Sequence, residues 1–275
     1  MKNTVTGCVD GSPSTRSVCE YAEWAADIFG APLALLHVIE KDNNPAVSDL
    51  SGTLGIDSQQ LLTEELVEVE GKRNRLLMAQ GKVILEGCAR LLQQQGSQDV
   101  MLLQKHGAPD EILAELSDIR LMVLGRKGSE HQVGSHLENV IRLQKKPLLV
   151  VPEKFSTPSR VMFAYDGSEE SRKNLERLTV SPLLKGLPCH IVMVNGEEGE
   201  LRNAQQILRN AGIETSCVHL TGQSVGDALI HYGIENAIDL IVMGAYGHSR
   251  LKQFILGSHT SEILRKTQQP LLILR

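Results

Sequence analysis

The chain repeats itself, and that repeat limits what it can fold into. An apolar run at 4–9 ends in Asp10-Gly11-Ser12, and a second at 161–165 ends in Asp166-Gly167-Ser168. The order of later features recurs as well. His190–Val194 matches Leu35–Val38, Gly222 follows a strand as Gly107 does, and Ile238–Met243 matches Ile119–Leu124. The ending Gly257-Ser258 … Pro270-Leu271-Leu272 matches Gly134-Ser135 … Pro147-Leu148-Leu149. Two tandem units follow, residues 1–154 and 159–275, joined by the proline- and serine-bearing stretch PEKFSTPS at 152–159. The second unit is shorter because it lacks most of the extension at 41–80.

Within each unit, strands alternate with helices. Ser14 or Thr15 can cap a helix whose apolar face uses Val18, Tyr21, Ala22, Ala25, Ile28 and Phe29, with Gly30 as its stop. Residues 61–92 read as helical, with a break expected near Gly71 or Gly81, since so long an unbroken helix is unusual in a compact domain. The strands are rich in Val, Ile and Leu with little alternation. This predicts an α/β fold of two tandem five-stranded parallel open sheets, each with helices on both faces. In such sheets ligands bind beyond the carboxyl ends of the strands, where the strand order reverses. The Asp-Gly-Ser turns and the glycine loops after the fourth strand of each unit fall there.

Composition narrows the function. With 3% aromatic residues, a net charge of -5 and a pI near 6.0, the chain offers neither a stacking platform nor a phosphate-tracking surface for nucleic acid. No apolar run reaches the ~20 residues that span a bilayer, and MKNTVTGCVDGS has no signal-peptide core, so a cytoplasmic protein is expected. Five widely spaced cysteines without a C-x-x-C read as buried free thiols. No zinc-type spacing is present.

The most chemically suggestive stretch is 240–275: an apolar strand, a glycine-bearing loop with Arg250 and Lys252, and a helix beginning at Gly257-Ser258. Unpaired N–H groups at a helix start attract anions, and glycines let a phosphate approach the backbone. The loop is not a Walker P-loop, and the first turns lack the dinucleotide G-x-G-x-x-G. Its spacing is Gly244-x2-Gly247-x9-Gly257-Ser258. With the duplicated Asp-Gly-Ser turns, it resembles the universal stress protein family in its tandem two-domain form, over nearly the whole chain.

That resemblance implies a Rossmann-like, adenine-nucleotide-alpha-hydrolase-like fold with ATP, or ADP or AMP, bound in the second unit together with Mg2+. It places adenine near Asp166 and the backbone of Val194. Met243, Gly244, Tyr246 and Gly247 would line the ribose and phosphates, with Gly257, Ser258 and His259 cradling the phosphates. The residue chemistry agrees: Asp166 can accept from an amine or ribose hydroxyl, and Ser258 can donate to phosphate or meet Mg2+. In the first unit only five residues separate Gly128 from Gly134. A weaker site for a smaller anion would use Asp10, Val38, Gly125, Gly128, Gly134 and Ser135, with Arg126 and Lys127 adding charge.

No convincing general base or phosphoryl acceptor accompanies these residues, so the expected role of the nucleotide is that of a regulatory ligand in a stress response, with at most slow hydrolysis. A nucleotide-independent interaction module of the same fold is the alternative. A third reading takes Gly222-Gln223-Ser224-Val225-Gly226 as a nucleophile elbow, with Asp239 and His248 or His259 completing a Ser-Asp-His order. The terminal strands 147–151 and 270–274 are expected at sheet edges. By the resemblance they would pair the two halves and also subunits, giving a homodimer and a surface for a regulatory protein partner.

Overall fold

The computed structural model of the chain describes residues 3–40, 56–97, 99–126, 135–245 and 258–275. In the first repeat, strands β1 (Thr4–Cys8), β2 (Leu33–Ile39), β3 (Val100–His106), β4 (Ile119–Gly125) and β5 (Leu148–Val151) alternate with helices α1 (Thr15–Phe29), α2 (Ile56–Gln95), α3 (Pro109–Glu115) and α4 (Ser135–Leu143). The second repeat answers with β6 (Val161–Ala164), β7 (Cys189–Val194), β8 (Thr215–Leu220), β9 (Leu240–Gly244) and β10 (Leu271–Leu274). Its helices are α5 (Glu169–Thr179), α6 (Glu198–Asn210), α7 (Val225–Glu235) and α8 (Ser258–Lys266).

All ten strands lie in one sheet, in the order β3-β2-β1-β4-β5-β10-β9-β6-β7-β8. Pairing within each half is parallel, as expected. The halves join through one antiparallel ladder, Leu271↔Val150, Leu272↔Leu149 and Ile273↔Leu148. The two five-stranded parallel units expected from sequence are joined edge to edge into one continuous sheet, so their terminal strands, edges of each unit, are not open edges of the whole. They do pair the two halves. In doing so each covers the other's hydrogen-bonding side, so a homodimer built through β5 and β10 is closed off, and the edges of the sheet are β3 and β8.

The join also turns the two halves head to tail. Because β5 and β10 run in opposite directions, the carboxyl ends of the first repeat's strands and those of the second lie at opposite ends of the sheet. Both faces are covered by apolar cores that run across the join. One gathers Tyr21, Leu92, Leu149, Leu272, Leu175 and Leu208 under α1, α2, α5 and α6. The other gathers Met122, Ile141, Leu148, Met162, Ile263 and Ile273 under α3, α4, α7 and α8. Period-two alternation along β5 and β10 sends successive leucines into opposite cores. The five cysteines are free thiols, and burial pushes Cys8 and Cys189 up to about 12.

Helix α2 corrects an expectation: it runs unbroken through Gly71 and Gly81. The two glycines have different reasons to be there. A Cβ on Gly81 would overlap the side chains of Gln104 and His37, so glycine lets the helix sit directly on β2 and β3. His37 cannot easily give way, because its Nδ1 is held at 2.7 Å from the Val9 carbonyl. A Cβ on Gly71 would meet nothing within 4 Å.

Two stability measurements check this architecture. In urea unfolding, Gly81→Ala should lose about 1–3 kcal/mol through overpacking, whereas Gly71→Ala should gain up to about 1 kcal/mol of helix propensity. Leu272, 4% exposed in the second repeat, packs in the same core as α1, which carries the single tryptophan, Trp24. Leu272→Ala should cost about 2–5 kcal/mol and shift the unfolding midpoint read by Trp24 fluorescence. A fluorescence midpoint that stays put would mean the halves unfold independently.

Candidate functional site

The two Asp-Gly-Ser turns are built alike. Asp166 Oδ1 accepts from the Ser168 backbone N–H at 3.0 Å and from its hydroxyl at 2.7 Å. Gly167 sits at φ +77°, a left-handed conformation that glycine takes without strain. Ser168 then caps α5 by accepting from the Ser171 N–H at 3.1 Å. In the first repeat Asp10 Oδ1 accepts from the Ser12 N–H at 3.0 Å and the Thr15 hydroxyl at 3.3 Å, with Gly11 at φ +81°. Sequence order thus aims one carboxylate per repeat, rigidly, at the carboxyl end of the first strand.

In the second repeat the structure brings Asp166, Val194, Met243 and Gly244 to the same end of β6, β7 and β9, which are neighbours in the sheet. Met243 is buried and Val194 and Gly244 are half-buried. Tyr246, Gly247 and Gly257 lie outside the described residues, as do Arg250 and Lys252. Ser258 and His259 are placed only as the first residues of α8. What frames that loop is described. The Ala245 N–H donates to the Leu274 carbonyl at 3.1 Å, and the buried Thr260 hydroxyl donates to the Ala245 carbonyl at 3.4 Å. The chain leaving β9 and the first turn of α8 are therefore tied together, so the intervening glycine-bearing segment starts and finishes at the strand's carboxyl end.

Thr260 was not among the residues singled out from sequence. Nor was Asn195, which follows Val194 at φ 57°. Its side chain donates to the Gly222 carbonyl at 2.6 Å and accepts from the Gly222 N–H at 3.0 Å, joining the loops after β7 and β8. An asparagine directly after a strand is a recognisable left-handed turn signal, so Asn195 was findable. A threonine in a helix gave no such signal.

In the first repeat Asp10, Val38 and Gly125 share the carboxyl end of β1, β2 and β4. Gly128 and Gly134 lie outside the described residues, and Ser135 is placed only as the start of α4. Arg126 does not serve that loop. It is 6% exposed, and its guanidinium crosses to the second repeat, donating from Nη1 to the Thr267 carbonyl and from Nη2 to the Gln269 carbonyl at 2.5 Å. The expectation that it supplies charge for a bound anion in the first loop is corrected: it grips the carboxyl end of α8.

The nucleophile-elbow reading fails on geometry. Ser224 caps α7, accepting from the Asp227 N–H at 3.0 Å, and its hydroxyl donates to Glu262 Oε1 at 3.0 Å. Lys266 donates to both Glu262 and Asp227, holding their carboxyls below the usual range, so the cluster is a set of ion pairs around a helix start. Asp239 sits before β9, at the other end of the sheet from Ser224. Its Oδ2 accepts from the Ser159 and Arg160 N–H groups at 3.0 and 3.2 Å. The eleven residues of α7, about 16 Å of helix, run between the two.

Comparison with known proteins agrees with this architecture. Residues 1–152 and 191–275 match the Universal stress protein family. The chain is 35% identical over 289 aligned positions to universal stress protein Slr1230 of Synechocystis sp., covering 100% of each chain. Its fold is similar to the crystal structure of a universal stress protein from Archaeoglobus fulgidus, with a TM-score of 0.65 at 21% identity, covering 99% of this chain and 96% of that one. A protein of unknown function from Pseudomonas aeruginosa matches with a TM-score of 0.62 at 13% identity, over 99% and 92% of the two chains. Repeat, sheet and full-length similarity agree: the chain belongs to the universal stress protein family.

Proposed function

We propose that the second repeat binds ATP, with Mg2+, as a regulatory ligand, and that the first repeat is a structural partner without a matching site. The observation that carries this reading is the framing of the glycine-bearing segment. Thr260 holds the start of α8 against the end of β9, and the sequence between them keeps the spacing Gly244-x2-Gly247-x9-Gly257-Ser258. Backbone N–H groups in such a segment, at the positive end of a helix dipole, favour polyphosphate. Asp166, fixed by Ser168, would meet the base or ribose, and Val194 and Met243 would supply apolar contact. Mg2+ would screen the charge of the triphosphate, with Ser258 as the nearest hydroxyl in sequence to meet it.

The asymmetry between repeats supports one site per chain. The first loop is shorter, and the basic residue that begins it, Arg126, is committed to the carbonyls of Thr267 and Gln269.

Titration calorimetry with Mg·ATP should therefore give one site per chain. Gly257→Asp puts a carboxylate beside the phosphates and should weaken binding about 100-fold or more, while Gly128→Asp in the first repeat should leave it unchanged. Two sites per chain, or full affinity in Gly257→Asp, would overturn the assignment. No heat with ATP, ADP or AMP would favour the nucleotide-independent module.

A further inference from the structure

We propose that the cleft between the two repeats binds a small oxyanion, a phosphate or carboxylate group, against Arg126 and Ser14. The cleft, of about 480 Å³, opens where the carboxyl ends of β4 and β5 meet the amino ends of β9 and β10. Its lining includes Ser14, Tyr21, Arg126, Lys154, Asp239 and Gln269. It is distinct from the carboxyl ends of β6 and β9, to which the nucleotide reading assigns its ligand and which lie at the opposite end of the sheet, and does not depend on that reading.

Arg126 is a buried cation whose guanidinium, among the described residues, donates only to carbonyls. Thr267 and Gln269 offer it dipoles, and among the described residues no carboxylate pairs with it. Burial pulls its pKa down to about 10. Buried charges in folded proteins are ordinarily matched by a counter-charge. Its Nε–H also has no acceptor, and neither does the hydroxyl of Ser14, which is 1% exposed. Both atoms are screened from bulk solvent, so bulk water does not supply what is missing.

Three other polar groups of the cleft are already engaged. Tyr21 donates to the Ser156 carbonyl at 3.1 Å and accepts from the Ser156 N–H at 3.3 Å. Asp239 accepts from Ser159 and Arg160, and Glu153 has a partner of its own. Two unanswered donors and one uncompensated positive charge, with Lys154 exposed at the rim, specify an acceptor that carries negative charge.

The test follows the Arg126 Nε–H resonance by NMR in the full-length Gly257→Asp protein, where the nucleotide loop is blocked, and in wild type. Inorganic phosphate and succinate are titrated separately, and Arg126→Lys identifies the resonance by its loss. Expected is a saturable shift with one of the two anions, which Ser14→Ala weakens about tenfold. Which anion saturates decides between a phosphate and a carboxylate ligand. A resonance unmoved by either anion up to about 10 mM, or a shift that Ser14→Ala leaves unchanged, overturns the proposal and leaves an internal water as the partner of these groups.

Discussion

The antiparallel ladder between β5 and β10 is the constraint on which the rest of this molecule depends. An open five-stranded sheet has two edge strands, each with one unpaired side, and here β5 and β10 each bring one such side to the seam. Joined, they satisfy each other and make one ten-stranded sheet with cores that cross the seam on both faces. The strands here are only four residues long, so backbone pairing alone would be a modest bond. Burial of Leu148, Leu149, Leu271, Leu272 and Ile273, all near zero exposure, makes the seam as much a part of the core as any other strand pair.

The direction of that ladder has a functional consequence. By reversing the second repeat it separates the two carboxyl ends, so edges that are equivalent in sequence do not converge on one pocket. Each faces the amino ends of the other repeat's strands. Where the first repeat's carboxyl edge meets the second, Arg126 bridges to the carbonyls after α8. The position that matches Arg126 in the second repeat is Ala245, whose N–H and carbonyl serve β10 and α8 instead. One duplicated framework thus supports a basic crossing at one end and a loop anchor at the other. The same helix, α8, begins beside the proposed nucleotide loop and ends on Arg126, which links the two ends of the sheet through nine residues.

Much of this was legible in the chain itself. Apolar runs bounded by glycine and proline located eight of the ten strands to within a residue or two, because buried parallel strands tolerate little else. The Asp-Gly-Ser turns were readable for the same reason: an aspartate that closes its own turn and a glycine at positive φ act over three residues. The continuity of α2 was not legible. Glycine lowers helix propensity wherever it stands, and only the proximity of His37 and Gln104 reveals why Gly81 is there. Arg126 misled for a related reason, since a basic residue between two glycines looks local until its partners, more than a hundred residues away, are seen.

The sequence by itself determined the duplication, the strand–helix alternation, the family and the asymmetry between a long and a short glycine loop. All of these are written in short-range pattern or in one copy's comparison with the other. Tertiary structure decided that the terminal strands consume each other, that Arg126 faces across the seam, and that Ser224 and Asp239 stand at opposite ends of the sheet. Those outcomes depend on strand direction and on contacts between residues distant in the chain. Composition and spacing carry no information about which side of a sheet a neighbour approaches from.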